Sequence, residues 1–146
     1  MQSSDGKIAK GKPFSVRFAA STDLAVEGEA RRLRRSKSSI VESLTEEAMR
    51  TRRFPGVAFR GDDSRRRPWV IGSGLDIWEI CQLVEEAGSI EALAVDAQVT
   101  LRQAQLAAAY RERYPEEIDA AIAENSRPVD EWRGLYPFVR SPGALR

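Results

Sequence analysis

A chain of 146 residues, 42% of them hydrophobic, is long enough for one domain or two small ones and has the apolar side chains to build a core. Its net charge of +1 hides a split: residues 1–70 carry 16 Lys and Arg against 9 Asp and Glu (+7), and residues 71–146 carry 7 against 13 (−6). A single cysteine and no histidine exclude an intrachain disulfide framework and leave Cys81 without the histidine a catalytic thiol needs, and no apolar run reaches the roughly 18 residues of a membrane span.

The basic front half predicts a polyanionic partner, and the acidic back half predicts a different task. The polar start of the chain, Met1 to Gly6, lacks the apolar core of a signal peptide. With the lone cysteine, this predicts a soluble protein of the cytoplasm. Residues 1–12, polar and rich in Gly and Lys, are expected to form a flexible arm.

Phe14-Ser15-Val16-Arg17-Phe18 then alternates apolar and polar side chains with the period of a strand. One face carries Phe14, Val16 and Phe18, the other Ser15 and Arg17. Ser21 or Thr22 is placed to cap a helix running to about Arg34, with Val26, Ala30 and Leu33 on its inner face. Ser36 caps a second helix, Lys37 to Arg53, whose buried stripe is expected to be Ile40, Val41, Leu44 and Ala48. Phe54-Pro55-Gly56 ends it.

Val57–Phe59 and Trp69–Ile71 are expected to pair as a small hairpin around the charged loop Gly61–Pro68. Asp76 and Glu79 have the spacing of a capping box for a helix to Ala87, closed by Gly88. Ser89 caps a short helix over Ile90–Asp96. Thr100 caps a longer one to Arg113, and Pro115 opens a last helix over Glu116–Glu124. From Asn125 onward the chain turns Pro-rich and aromatic.

A strand, a helix, a turn and a helix within some 40 residues cannot satisfy the strand or bury both helices in a single copy. Two copies can pair their strands antiparallel and merge four helices into one core. Ser15 and Arg17 of both copies then line one ribbon face, of a width that enters the DNA major groove, where Arg can donate twice to guanine. The amide groups and partial positive charge at the start of the second helix suit a phosphate.

On these residues, Phe14 to Phe18 and the turn Arg35-Ser36-Lys37-Ser38-Ser39-Ile40, the stretch 13–53 resembles the ribbon-helix-helix DNA-binding proteins of the MetJ/Arc type. The resemblance implies a homodimer that reads bases with Ser15 and Arg17 and clamps phosphate with Ser36, Lys37 and Ser38. Pro13 stands where a third reader would be and offers no side-chain hydrogen bond. The alternative is an ordinary edge strand within one packed domain, with Arg31 to Arg35 as a solvated face.

Residues 54–125 resemble a small helical family found beside bacterial genes for PIN-like ribonuclease toxins. The matching residues are Pro55 to Arg60, Arg67 to Ile80 and Tyr114 to Asp119. Joined to a ribbon-helix-helix domain, this module resembles a VapB-type antitoxin. The fold class implied is mainly α: a dimeric ribbon-helix-helix, then a hairpin and a helix-turn-helix-like module, then an extended tail over 126–146.

Within the module, Thr100, Arg102, Gln103 and Gln105 could begin a recognition helix, although the local acidity opposes a second phosphate surface. Gly72-Ser73-Gly74 lacks the phosphate-loop pattern and reads as a turn. Cys81 reads as a core residue. The pairs Glu85-Glu86 and Glu116-Glu117 are adjacent in sequence, so they do not face one another on a helix. No enzyme activity, metal or cofactor is expected.

In the tail, Trp132, Arg133, Tyr136, Phe138 and Arg140 have the composition of an interface anchor. By the resemblance they would bind the toxin, with an arginine entering its acidic site. Folding back onto the helical module is the alternative for the tail. For the whole chain, the alternative to an antitoxin is a stand-alone regulator with a ligand-sensing or oligomerising back half.

Overall fold

A computed structural model describes residues 9–95, 98–126 and 135. The described residues are mainly helical, with one two-stranded antiparallel sheet. The elements are α1 (Ala20–Leu33), α2 (Lys37–Arg53), β1 (Val57–Arg60), a 3-10 turn (Asp63–Arg65), β2 (Arg67–Val70), α3 (Ile77–Ala87), α4 (Ile90–Val95), α5 (Leu101–Arg113) and α6 (Pro115–Asn125). The chain forms two compact units, Met1–Ser43 and Leu44–Arg146, and the division falls inside α2.

In the first unit, α1 starts earlier than its serine and threonine suggest. Ala19 is the flanking residue, its carbonyl accepting from Asp23 N–H at 2.9 Å, and no side chain caps the helix. At the other end Arg35 N–H reaches Ala30 O at 3.0 Å and Arg34 N–H reaches Arg31 O at 3.3 Å, a Schellman closure. That closure puts Arg34 in the left-handed region, φ 54°, where glycine is the usual residue. A β-carbon there costs about 1–2 kcal/mol. The return from a positive charge at a helix C-terminus is about 0.3–1 kcal/mol, and Arg31 and Arg32 already occupy the last turn. Ser36 caps α2 as expected, its Oγ accepting from Ser39 N–H at 3.1 Å.

The core of this unit is small. Val26, Ala30 and Ile40 are buried, with Leu33 and Val41 packed against them. Two expectations fail here. Leu44 is half exposed, and Ala48 is exposed, so the inner stripe of α2 stops at Val41 within this chain. Residues 13–18 form no strand, because none of the described segments supplies the neighbour whose hydrogen bonds define one. Phe14 is 85% exposed and Val16 56%.

In the second unit β1 and β2 pair Val57 with Val70, Ala58 with Trp69, Phe59 with Pro68 and Arg60 with Arg67. β1 covers the expected Val57–Phe59 and runs one residue further, whereas β2 begins two residues before the expected Trp69 and ends one before Ile71, which is 55% exposed. Gly61 must be glycine: its φ is 103°, and a β-carbon would lie 2.2 Å from Arg65 O. Below the hairpin, α3, α4, α5 and α6 enclose eleven buried residues, among them Val57, Val70, Ile77, Ile80, Ala104, Ala107, Tyr110 and Ile118.

The local punctuation in this unit is as read. Asp76 N–H donates to Glu79 Oε1 at 3.1 Å. Gly88 closes α3 with φ 92°. Ser89 Oγ accepts from Ala92 N–H at 3.0 Å. Thr100 caps α5, accepting from Gln103 N–H at 3.1 Å, and Gln103, read in the sequence only as part of a recognition helix, accepts in return from Thr100 N–H at 2.9 Å. Pro115 takes the first position of α6.

Cys81 is a core residue, 4% exposed. Burial, the largest influence, pushes its thiol up to about 11 from 9.0. The thiolate fraction near pH 8 is then on the order of 100-fold below that of a free thiol. A disulfide reagent at pH 8 is expected to leave the native protein almost untouched and to titrate one thiol promptly in denaturant. Prompt reaction of the native protein would show that α3 opens readily.

Candidate nucleic-acid interface

The first unit carries a run of basic side chains around the α1–α2 turn, and the structure sorts them. Arg32 reaches back to Glu29 through Nε at 3.1 Å and a second contact through Nη2. Arg35 is half-buried and lies along α2, where Nη2 donates to Ser39 Oγ and to Ser43 Oγ, both at 2.6 Å. Lys37 pairs with Asp23 and, at 3.6 Å, with Glu27. The hydrogen bond to Asp23, its largest influence, holds the Lys37 ammonium above its usual pKa. Among the described residues nothing pairs with the side chains of Arg17, Arg31 or Arg34, and all three are exposed.

The predicted site residues therefore fare differently. Ser15 and Arg17 are exposed on a segment that lies just before α1. Ser36 and Ser38 sit together in the first turn of α2 and are exposed, but the Ser36 oxygen is engaged in the cap. Lys37 stands in the same turn with its charge directed to α1. No hydrogen bond among the described residues links Ser15 or Arg17 to the α2 turn. Trp132, Arg133, Tyr136, Phe138 and Arg140 lie outside the described residues.

In the second unit five of the described arginines are engaged internally. Asp76, with a side chain 5% exposed, is bridged by Arg60 Nη2 at 2.6 Å on one oxygen and by Arg67 Nε at 2.6 Å on the other. Arg60 also lies over the Trp69 ring, 4.8 Å from its centroid. Arg66 holds Glu47 through two bonds of 2.8 Å. Arg111 ties Glu85 to Asp119. Arg50 donates to Tyr110 Oη at 2.8 Å, to Glu117 and to Glu46, and covers the Tyr114 ring at 3.9 Å. These networks were missed in the sequence, where Arg65, Arg66 and Arg67 read only as part of a charged loop.

At the start of α5, Arg102 and Gln105 are exposed, but Gln103 is turned back onto its own cap. That removes one of the side chains a recognition helix would use. A shallow groove of about 310 Å³ lies along α3, lined by Leu75, Trp78, Leu83 and polar neighbours. Among the described residues no group of His, Cys, Asp and Glu is placed to hold a metal ion. No helix among them is long and apolar enough to cross a membrane. No family model, no curated protein and no solved structure matches the chain.

Proposed function

We propose that this chain is the antitoxin of a type II toxin–antitoxin pair. Its first unit, as a homodimer, binds operator DNA and represses its own operon. The remainder of the chain, with the tail over 126–146, binds and neutralises a PIN-like ribonuclease toxin in the cytoplasm.

One observation carries the DNA half of this reading. The alternating segment Phe14–Phe18 lies exposed and unpaired directly before two helices joined by a Schellman turn and a serine cap. A second copy gives that segment a strand partner and gives the small core of Val26, Ala30 and Ile40 a larger neighbour. Arg17, free of ion pairs among the described residues, then stands on the ribbon face with Ser15. The exposed Leu44 side chain supports the same arrangement, since α2 would meet its counterpart along that stripe. The toxin half rests on the resemblance of residues 54–125 and on the aromatic composition of the tail.

Co-expression with the adjacent gene, followed by mass measurement and gel shift with upstream DNA, tests both halves. Arg17→Ala is expected to weaken operator binding on the order of 100-fold or more, because the dimer loses two bidentate contacts of about 1–3 kcal/mol each. Toxin inhibition is expected to survive that change and to disappear on truncation after Asn125. Operator binding unchanged in Arg17→Ala, or neutralisation by the truncated chain, would remove the corresponding half of the proposal.

A further inference from the structure

Five cations crowd the end of α1 and the turn into α2 at positions 31, 32, 34, 35 and 37, and they are not equivalent. Arg32, Arg35 and Lys37 are engaged by Glu29, by Ser39 and Ser43, and by Asp23 and Glu27. Arg31 and Arg34 remain exposed, three residues apart, and without a partner among the described residues.

Arg34 occupies the backbone position that favours glycine. Glycine would keep both Schellman bonds, because they are made by main-chain groups alone. The strain set out above exceeds what a further cation at the helix end returns. A guanidinium kept at this cost, exposed and without a partner among the described residues, points to a role beyond the fold.

We infer that Arg31 and Arg34 form the phosphate-contacting pair of the first unit, and that they take the place assigned by sequence to Lys37. The inference rests on the reading of this unit as DNA-binding. Guanidinium is suited to the task because its planar fork matches two phosphate oxygens. These contacts follow the DNA backbone, so they set affinity and salt dependence and leave sequence preference to Ser15 and Arg17.

Salt titration of the full-length chain on a short mixed-sequence DNA duplex tests this. In a dimer each arginine counts twice, and each lost phosphate contact lowers the slope of log K against log salt by about 0.9. Arg34→Gln is therefore expected to reduce the slope by about 2, and Arg31→Gln with Arg34→Gln by about 4. Arg34→Lys is expected to retain the slope, since the charge stays. Arg34→Gly should raise the melting temperature by removing the strain and still bind as weakly as Arg34→Gln.

Duplex binding by the unaltered chain with slopes unchanged in the glutamine variants would overturn this inference alone. So would an Arg34→Lys variant as impaired as Arg34→Gln, or an Arg34→Gly variant that binds at full strength. No duplex binding by the unaltered chain would overturn the inference together with the reading beneath it.

Discussion

Tyr110→Ala is expected to cost the second unit about 3–5 kcal/mol, a large part of the roughly 5–15 kcal/mol that holds a domain of this kind together. Tyr110 is fully buried in α5. Its ring meets Phe54 edge-on at 5.2 Å and Tyr114 at 4.8 Å. Alanine would leave a cavity where three aromatic rings now meet, and the walls, formed by α3, α5 and α6, are too rigid to close over it. The measurement is urea unfolding followed by tryptophan fluorescence. A loss under about 1 kcal/mol would mean that the aromatic cluster is not central to this core.

Tyr110→Phe separates the ring from the hydroxyl. The hydroxyl accepts from Arg50 at 2.8 Å, but Arg50 keeps Glu117 and Glu46 as partners, so the cost at neutral pH is about 1 kcal/mol. The difference appears in alkali. Burial, only partly offset by the Arg50 hydrogen bond, pushes the phenol up to about 12 from 10.0. Below pH 10 both folded and unfolded chains hold the proton, and this contribution to stability is complete. Between pH 10 and 12 the unfolded chain releases it first, and the contribution is lost. Tyr110→Phe is expected to lack that part of the alkaline decline. Parallel stability curves above pH 10 would refute the assignment.

The second large effect is a non-additive one. Arg60→Ala or Arg67→Ala alone is expected to cost about 1 kcal/mol. Each arginine is itself partly exposed, and the other still holds the Asp76 carboxylate. Removing both leaves a carboxylate with a 5% exposed side chain and no cation, for which about 3–5 kcal/mol is expected. The excess of the double variant over the sum of the singles is the quantity to measure by denaturant unfolding. A strictly additive pair would show that water replaces the arginines at Asp76 without penalty.

What could be read from sequence was chiefly local. Ser36, Ser89, Thr100, Gly88 and Pro115 act on main-chain groups within a turn of themselves, so their chemistry announces the element they bound. The same reasoning misplaced the start of α1, where Ser21 and Thr22 are strong caps that the chain does not use and Ala19 takes the flanking position.

Features that need a distant partner were not legible. Leu44 and Ala48 have the right spacing for a buried stripe, yet spacing does not specify what covers it. Asp76 was read only as a cap. Its bridging of Arg60 and Arg67 depends on a hairpin register that sets those two arginines opposite one another, which strand spans alone do not specify. The basic run Arg31 to Arg35 was visible in the sequence, but its division into engaged and free cations was not, because it turns on Glu29, Asp23, Glu27 and two serines of α2 (Ser39 and Ser43).

The unequal cores of the two units also determine what each spectroscopic signal can report. Trp69 and Trp78 belong to the second unit, and residues 1–43 hold neither tryptophan nor tyrosine. Intrinsic fluorescence is therefore blind to the unit built on Val26, Ala30 and Ile40, whereas far-ultraviolet dichroism registers α1 as well. Non-coincident curves in a melt followed both ways would isolate the unit with the smaller core, and the protein-concentration dependence of their difference would read its self-association without any label.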